Sequence, residues 1–418
     1  MSARVVVLGT GFAGLTLARA LARHRREPQL ALTAVNRQNF ALFTPLLPEV
    51  ASGALESRHV AEPFRTSVPR ARFVLGEVEH VDFERRSVST RHPVTGKVNG
   101  IAYDQLVIAL GAVSTTHGVP GADAHALPLK TLNDAVRLRA HLIRSLEAAT
   151  VADAGERRAL LTVAVVGGGF TGVEAAGETF AYLNRMRREY PALGSERVRV
   201  VLVAGGARLL EQFPERFSER ARAMLTRRGV ELILRDDVAS VDAGGLTLKS
   251  GVRHAAKTVV WAAGVRVPEL VEKLDVPHAA HHAIAVNADL SVPQRPGVWA
   301  LGDCAHVPKP GGGAYPQTAQ HAVREAALLA RNLVASLRGG ATRPMRYRSL
   351  GMMASLGDRE GLADLGGRAL IAGLPAWLLW RAYYLSRLHG AYRKTRVALD
   401  WTLSLPFPPD IASIGSSS

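Results

Sequence analysis

The chain has 418 residues, 47% apolar and 21% charged, a balance that excludes disordered, collagen-like and disulfide-scaffold proteins and allows two to three domains of roughly 150 residues. Its single cysteine, Cys304, excludes an intramolecular disulfide, a CxxC dithiol, a Cys₄ zinc site and an iron–sulfur cluster built from this chain alone, so any redox group must be borrowed. Lys and Arg number 52 against 36 Asp and Glu, a net charge of +16, which suits nucleic acid, an anionic membrane face or polyanionic cofactors until location decides.

Residues 4–8 read as a β-branched strand, followed by Gly9-Thr10-Gly11-Phe12-Ala13-Gly14 and an Ala/Leu-rich helix to about His24. The opening lacks the apolar core of a signal peptide, and no run of 18 apolar residues occurs, so a cytosolic chain without a spanning helix is expected. A second strand, 30–35, ends at Asn36-Arg37, where a dinucleotide fold places an acid on the adenosine ribose; Asn36 keeps hydrogen-bonding capacity but lacks the carboxylate. Residues 103–111 form a buried strand ending at Gly111. Lys130 reads as a solvated lysine at a helix start.

The opening pattern then repeats. Residues 163–166 form a strand, followed by Gly167-Gly168-Gly169-Phe170-Thr171-Gly172 and a helix beginning Val173-Glu174. In each copy the first glycine turns the chain, the second admits a diphosphate close to the backbone, and the third lets helix pack on strand. One such motif is a weak signal, but two in strand–turn–helix context imply two dinucleotides on one chain. The strand 198–203 ends at Ala204, again without an acid; either backbone contacts compensate, or Ala204 removes repulsion toward a 2′-phosphate that Arg208 or Arg199 pairs with, admitting NADPH. The run 258–264 mirrors 103–111 and ends at Gly264.

His278, His281 and His282 lie in an Ala-rich turn without supporting ligands, and no metal site is expected. Residues 297–303 form a short strand ending in Gly302-Asp303, with Cys304 a buried small residue. No zinc finger, basic zipper or RNA-binding motif accompanies the basic charge, which argues against nucleic acid. From 374 to 396, Trp377, Trp380, Tyr384 and Leu388 fall on one helical face beside Arg381, Arg387, Arg393, Lys394 and Arg396, with no acid. This fits an amphipathic helix on an anionic membrane surface, with a packed core or dimer helix as the alternative; a homodimer stays open.

The two fingerprints and the Gly302-Asp303 motif resemble the two-dinucleotide-binding flavoproteins. Phe43-Thr44-Pro45-Leu46-Leu47-Pro48-Glu49, Gly168-Gly169-Phe170-Thr171-Gly172-Val173-Glu174 and Tyr315-Pro316-Gln317-Thr318-Ala319-Gln320-His321-Ala322 narrow the resemblance to type II NADH dehydrogenases, over roughly residues 3–400. The resemblance implies an α/β fold of two Rossmann-like, three-layer domains with a C-terminal membrane-associating region. Residues 1–115 and 266–335 would bind FAD, 116–265 form an inserted NAD(P) domain, and 336–418 carry the membrane-facing helix. It assigns Gly9, Gly11, Phe12, Ala13, Gly14, Asn36, Arg37, Gly111, Gly302, Asp303, Ala319 and Gln320 to FAD. Gly167, Gly169, Phe170, Thr171, Gly172, Ala204 and Gly264 go to the nicotinamide nucleotide.

Pro45, Leu46, Gln317, Ala319 and Gln320 would line a quinone pocket, Gln320 donating to a quinone carbonyl. Glu174, in the first turn of its helix, is favoured by the dipole whatever its role and would also position the nicotinamide or pass a proton. The implied activity is non-proton-pumping NAD(P)H:quinone oxidoreduction at the cytoplasmic face of the membrane, in a respiratory chain. A soluble reductase with a protein or small-molecule acceptor and a non-catalytic flavoprotein are the alternatives.

Overall fold

Short apolar runs that close on glycine become buried parallel strands, twice over. The computed structural model describes residues 2–24, 29–349, 351–407 and 410–412. Contacts group the chain into two units: Met1–Leu42, Ala61–Val113 and Val265–Arg348 in the first, and Phe43–Val60, Ser114–Gly264 and Ser349–Ser418 in the second.

In the first unit five parallel strands run in the order Val298–Ala300, Gln105–Ile108, Ala3–Leu8, Leu30–Asn36, Arg72–Leu75. Val5 stands opposite Leu32 on one side and Gln105 on the other. Val5, Val6, Val7 and Leu8 are all buried, which explains why the strand reads as a continuous apolar run: a parallel sheet covered on both faces has no polar side. Helices Phe12–Ala22 and Ala319–Leu337 pack on each other. An antiparallel sheet of Glu77–Asp82, Ser87–Arg91 and Val98–Ala102 precedes the Gln105–Ile108 strand.

The second unit repeats this plan. Its parallel order is Leu127–Pro128, Thr258–Trp261, Thr162–Val166, Arg199–Ala204, Glu231–Leu234, with an antiparallel sheet of Val238–Asp242, Gly245–Leu248 and Arg253–Ala255. Helix Leu132–Val151 starts at a Thr131/Asp134 capping box, and the backbone N–H of Lys130 also donates to Asp134 at 3.1 Å. A further antiparallel sheet, Met352–Ser355, Gly361–Asp364 and Leu370–Gly373, carries helix Leu374–Arg387.

These units depart from the expected division in two places. Phe43–Val60 belongs with the second unit, and the stretch after 335 divides at Arg348 rather than standing apart. The tail also differs from its expected orientation. Trp377, Trp380 and Leu388 are buried, because helix Leu374–Arg387 lays that stripe onto the sheet; a Cβ on Gly361 would lie 2.6 Å from the Trp377 nitrogen. Arg381 turns inward as well, so neither the aromatic stripe nor this cation faces solvent. The exposed large apolar residues of the same helix are Leu374, Leu378 and Leu379. No helix among the described residues is long and apolar enough to cross a membrane.

Candidate active site

Both fingerprints meet the same steric demand in the same way. Gly9 and Gly167 have φ of 92° and 126°, a region unfavourable to any residue with a side chain. A Cβ there would strike the neighbouring strand's end, the Ala109 carbonyl in one unit and the Ala262 carbonyl in the other. At Gly14 and Gly172 a Cβ would collide with the carbonyl of the first glycine, so helix and strand approach closely only because both are glycine. Gly11 and Gly169 instead face open space and cap helices Phe12–Ala22 and Phe170–Met186 with no side-chain cap. First-turn N–H groups are thereby left for an anion, whose favourable interaction with the helix dipole is worth about 0.3–1 kcal/mol. The buried Thr10 hydroxyl, in the glycine turn before the helix, has no hydrogen-bond partner. A cradle open at Gly11 and closed at Gly9 and Gly14 fits a dinucleotide diphosphate.

The Gly302-Asp303 turn lies against that cradle: a Cβ on Gly302 would sit 3.3 Å from the Ala13 methyl. Two contacts hold it. The Gly302 N–H donates to Glu325 Oε2 at 2.8 Å, and Gln317 Nε2 donates to the Asp303 carbonyl at 2.7 Å. Burial pushes the Glu325 carboxyl up to about 7, with the Gly302 N–H pulling it back and the Asp303 charge pushing it further. Sequence reasoning missed Glu325; its signal is a lone acid among Ala322, Ala326 and Leu329 on the buried face of helix Ala319–Leu337. That helix begins at Ala319, with Thr318 as its N-cap residue.

Gln320 donates through Nε2 to the Tyr347 hydroxyl at 2.6 Å. His321 bonds the Thr318 hydroxyl at 2.7 Å, with the Tyr315 and Tyr347 rings 5.6 and 5.5 Å from its own. Tyr347, absent from the sequence reading, therefore organises the end of the AQHA run. Asn36 spends its amide on the Gln38 carbonyl at 2.8 Å, and Arg37 pairs with Glu77 at 3.6 Å. Gly111 and Gly264 have φ of 67° and 83°. Pro45 and Leu46 belong to the second unit, where Leu46 is fully buried; Gln317, Ala319 and Gln320 belong to the first. Cys304 is buried, its thiol pushed up to about 12 by desolvation.

In the second unit Glu174 is not in the first helical turn, as expected, but is the fifth residue of Phe170–Met186, past the reach of the terminal dipole. Burial and local partners govern it instead. The Ser355 N–H donates to Glu174 Oε1 at 3.0 Å, and the Ser355 hydroxyl donates to Glu178 Oε1 at 2.8 Å. Glu49 accepts from Trp401 Nε1 at 2.7 Å and faces Arg381 at 3.5 Å, whose guanidinium lies 3.7 Å from the Trp377 ring and 4.7 Å from that of Trp401. Desolvation dominates all three carboxyls. It pushes Glu174 up to about 8, Glu49 up to about 7 against the pull of Arg381, and Glu178 upward against its Ser355 bond. Near neutral pH, Glu174 holds a proton.

Phe170 packs on Phe213, ring centres 4.7 Å apart, and Thr171 is exposed at the helix start. Arg199, one of two expected phosphate partners, is engaged by Glu231 through bonds of 2.7 and 2.6 Å across adjacent strands. Arg208 donates to the Glu211 carbonyl at 2.9 Å. His278 bonds the carbonyls of His282 and Leu274, and no metal-holding group of three or more His, Cys, Asp or Glu occurs among the described residues.

Residues 3–326 match the family described as pyridine nucleotide-disulphide oxidoreductase; the lone buried Cys304 leaves no disulfide partner within this chain. The type II NADH:quinone oxidoreductase Ndh of Mycobacterium tuberculosis is 32% identical, with 96% of this chain and 88% of that protein covered. A probable NADH dehydrogenase of Dictyostelium discoideum is 30% identical over 98% and 91%. The solved structure of NDH2 from Plasmodium falciparum in complex with NADH shares the fold at a TM-score of 0.90 with 20% identity, covering 99% of this chain and 100% of that one. The chain belongs to the type II NADH dehydrogenases, the NADH:quinone oxidoreductase family of oxidoreductases.

Proposed function

We propose that the protein is an FAD-dependent, non-proton-pumping NAD(P)H:quinone oxidoreductase. The observation that carries this reading is the pair of equivalent cradles, each with one glycine open to ligand and two closed against backbone, in a chain of this family. The first cradle and the Gly302-Asp303 turn would hold the FAD diphosphate and ribityl region, and the second would hold the nicotinamide nucleotide. FAD, when bound, supplies the two-electron chemistry between nucleotide and quinone. The residues orient and protonate: the Gln320 amide, steadied by Tyr347, donates to a quinone carbonyl, and Glu174, protonated near neutral pH, holds a proton for the reduction. The protein should purify yellow, with FAD released intact by acid because attachment is non-covalent. Colourless protein that cannot be reconstituted with FAD overturns the reading.

Membrane quinone as acceptor calls for attachment at the membrane surface, and we propose peripheral attachment at the cytoplasmic face. The exposed Leu374, Leu378 and Leu379, with Leu399, Leu403 and Phe407 further along the tail, support this attachment in place of the buried tryptophans. Leu374→Ser, Leu378→Ser and Leu379→Ser combined should lower co-sedimentation with anionic vesicles; unchanged binding would move the docking surface elsewhere.

A further inference from the structure

We propose that Glu211 supplies the ribose-binding carboxylate missing at Ala204 and thereby directs the second unit toward NADH. The inference rests on reading that unit as the nucleotide site. The strand Arg199–Ala204 ends directly at the fingerprint turn: a Cβ on Gly168 would sit 2.8 Å from the Ala204 methyl, and the Leu210 N–H donates to the Gly168 carbonyl at 2.8 Å. The loop 205–210 is thus fastened along the cradle, where the adenosine ribose of a dinucleotide follows its diphosphate.

Glu211 folds back over this loop. Its Oε1 accepts the Ala207 N–H at 2.7 Å, and its two carboxylate oxygens lie 2.5 and 2.9 Å from the position a Gly206 Cβ would take. The carboxylate therefore stands two residues beyond Ala204, held by one backbone bond while the side chain remains exposed. A carboxylate has about four acceptor sites, which leaves acceptors for the 2′- and 3′-hydroxyls.

Charge decides the choice of nucleotide. A 2′-phosphate beside Glu211 would bring like charges together, and two of the nearby cations are engaged. Arg199 is held by Glu231, Lys249 pairs with Asp237 at 2.9 Å, and Asp237 itself lies against Gly205. Arg208 of the loop and the exposed Arg235, whose backbone N–H donates to the Gly206 carbonyl at 2.9 Å, give an opposing attraction to phosphate. The loop thus carries an acid that reads hydroxyls at a place where Ala204 alone suggested tolerance of NADPH.

Calorimetric titration of the holoenzyme with NAD⁺ and NADP⁺ tests the assignment without turnover. The parent should bind NAD⁺ about tenfold or more tighter than NADP⁺. Glu211→Gln should shrink that ratio to about threefold or less, and Glu211→Arg should invert it. Adding Ala204→Glu to the Glu211→Gln variant should restore the preference, because a carboxylate then returns to the same ribose. Parental binding of the two nucleotides with equal affinity, or a ratio unmoved by Glu211→Gln while NAD⁺ still binds, overturns the proposal alone. Binding of neither nucleotide by the flavin-loaded parent removes the nucleotide-site reading itself.

Discussion

The two units share the order of four parallel strands, a glycine geometry and a flanking antiparallel sheet, yet their fingerprint helices carry different chemistry. Counting from the first glycine, Glu174 and Glu178 of the second helix correspond to Thr16 and Ala20 of the first. The first helix packs an Ala/Leu face onto its unit, whereas the second delivers two carboxyls into a buried layer closed by Ser355. One backbone solution thus serves both halves, and the pressure for glycine at three positions is steric and identical. What a half can do is written at these helix positions and in the loop after its second strand, which the fold leaves free to vary.

The comparison is broken most severely at the third glycines. Gly14→Val should abolish flavin retention, since the side chain would enter the Gly9 carbonyl. Gly172→Val should leave flavin bound but cut its reduction by NADH about a hundredfold or more, roughly 2.7 kcal/mol in the barrier. Flavin content and stopped-flow reduction measure the two effects, and loss of flavin from both variants would mean that the halves are not independent cradles.

Next in size is Arg381→Gln in the layer that only the second unit possesses. It leaves Glu49 buried without its cation, which should cost about 3–5 kcal/mol if Glu49 stays ionised and less if it takes up a proton. The thermal midpoint should therefore fall most at high pH. A midpoint unchanged at pH 8 would show that the pair contributes nothing to stability.

A smaller, pH-dependent effect belongs to Glu174. Its folded value near 8 lies above the ordinary 4.5, so folding takes up a proton in that interval. The stabilisation is complete below pH 4.5 and is lost as pH rises through 8, at no more than about 1.4 kcal/mol per pH unit for one group. Glu174→Gln should flatten the decline in thermal midpoint between pH 6 and 9. A parent whose midpoint is level across that range would contradict a neutral buried Glu174.

The duplicated cradles were legible in the sequence because three glycines at fixed spacing answer to local sterics, and the buried parallel strands because covering both faces enforces continuous apolar runs. The Gly302-Asp303 turn was legible through its motif, and its tether to Glu325 was not, since the partners are 23 residues apart. The tail shows the limit most plainly. Periodicity identified the Trp377–Trp380–Tyr384–Leu388 face, but an aromatic stripe reads alike whether it meets lipid or the Met352–Gly373 sheet. Arg381 counted as surface charge until Glu49, 332 positions away in sequence, proved to be its partner. At Ala204 the sequence left NADH and NADPH both open, because spacing alone could not show Glu211 folded back over Gly206.

The most direct test is an anaerobic double-mixing experiment on the purified flavoprotein, in which NADH is mixed first and a ubiquinone analogue second. The account predicts full bleaching of the flavin by NADH, rapid reoxidation by quinone, and, in Gln320→Leu, reoxidation slowed about tenfold or more with reduction by NADH nearly unchanged. Flavin that NADH reduces but quinone cannot reoxidise, or a Gln320→Leu variant impaired equally in both steps, would contradict it.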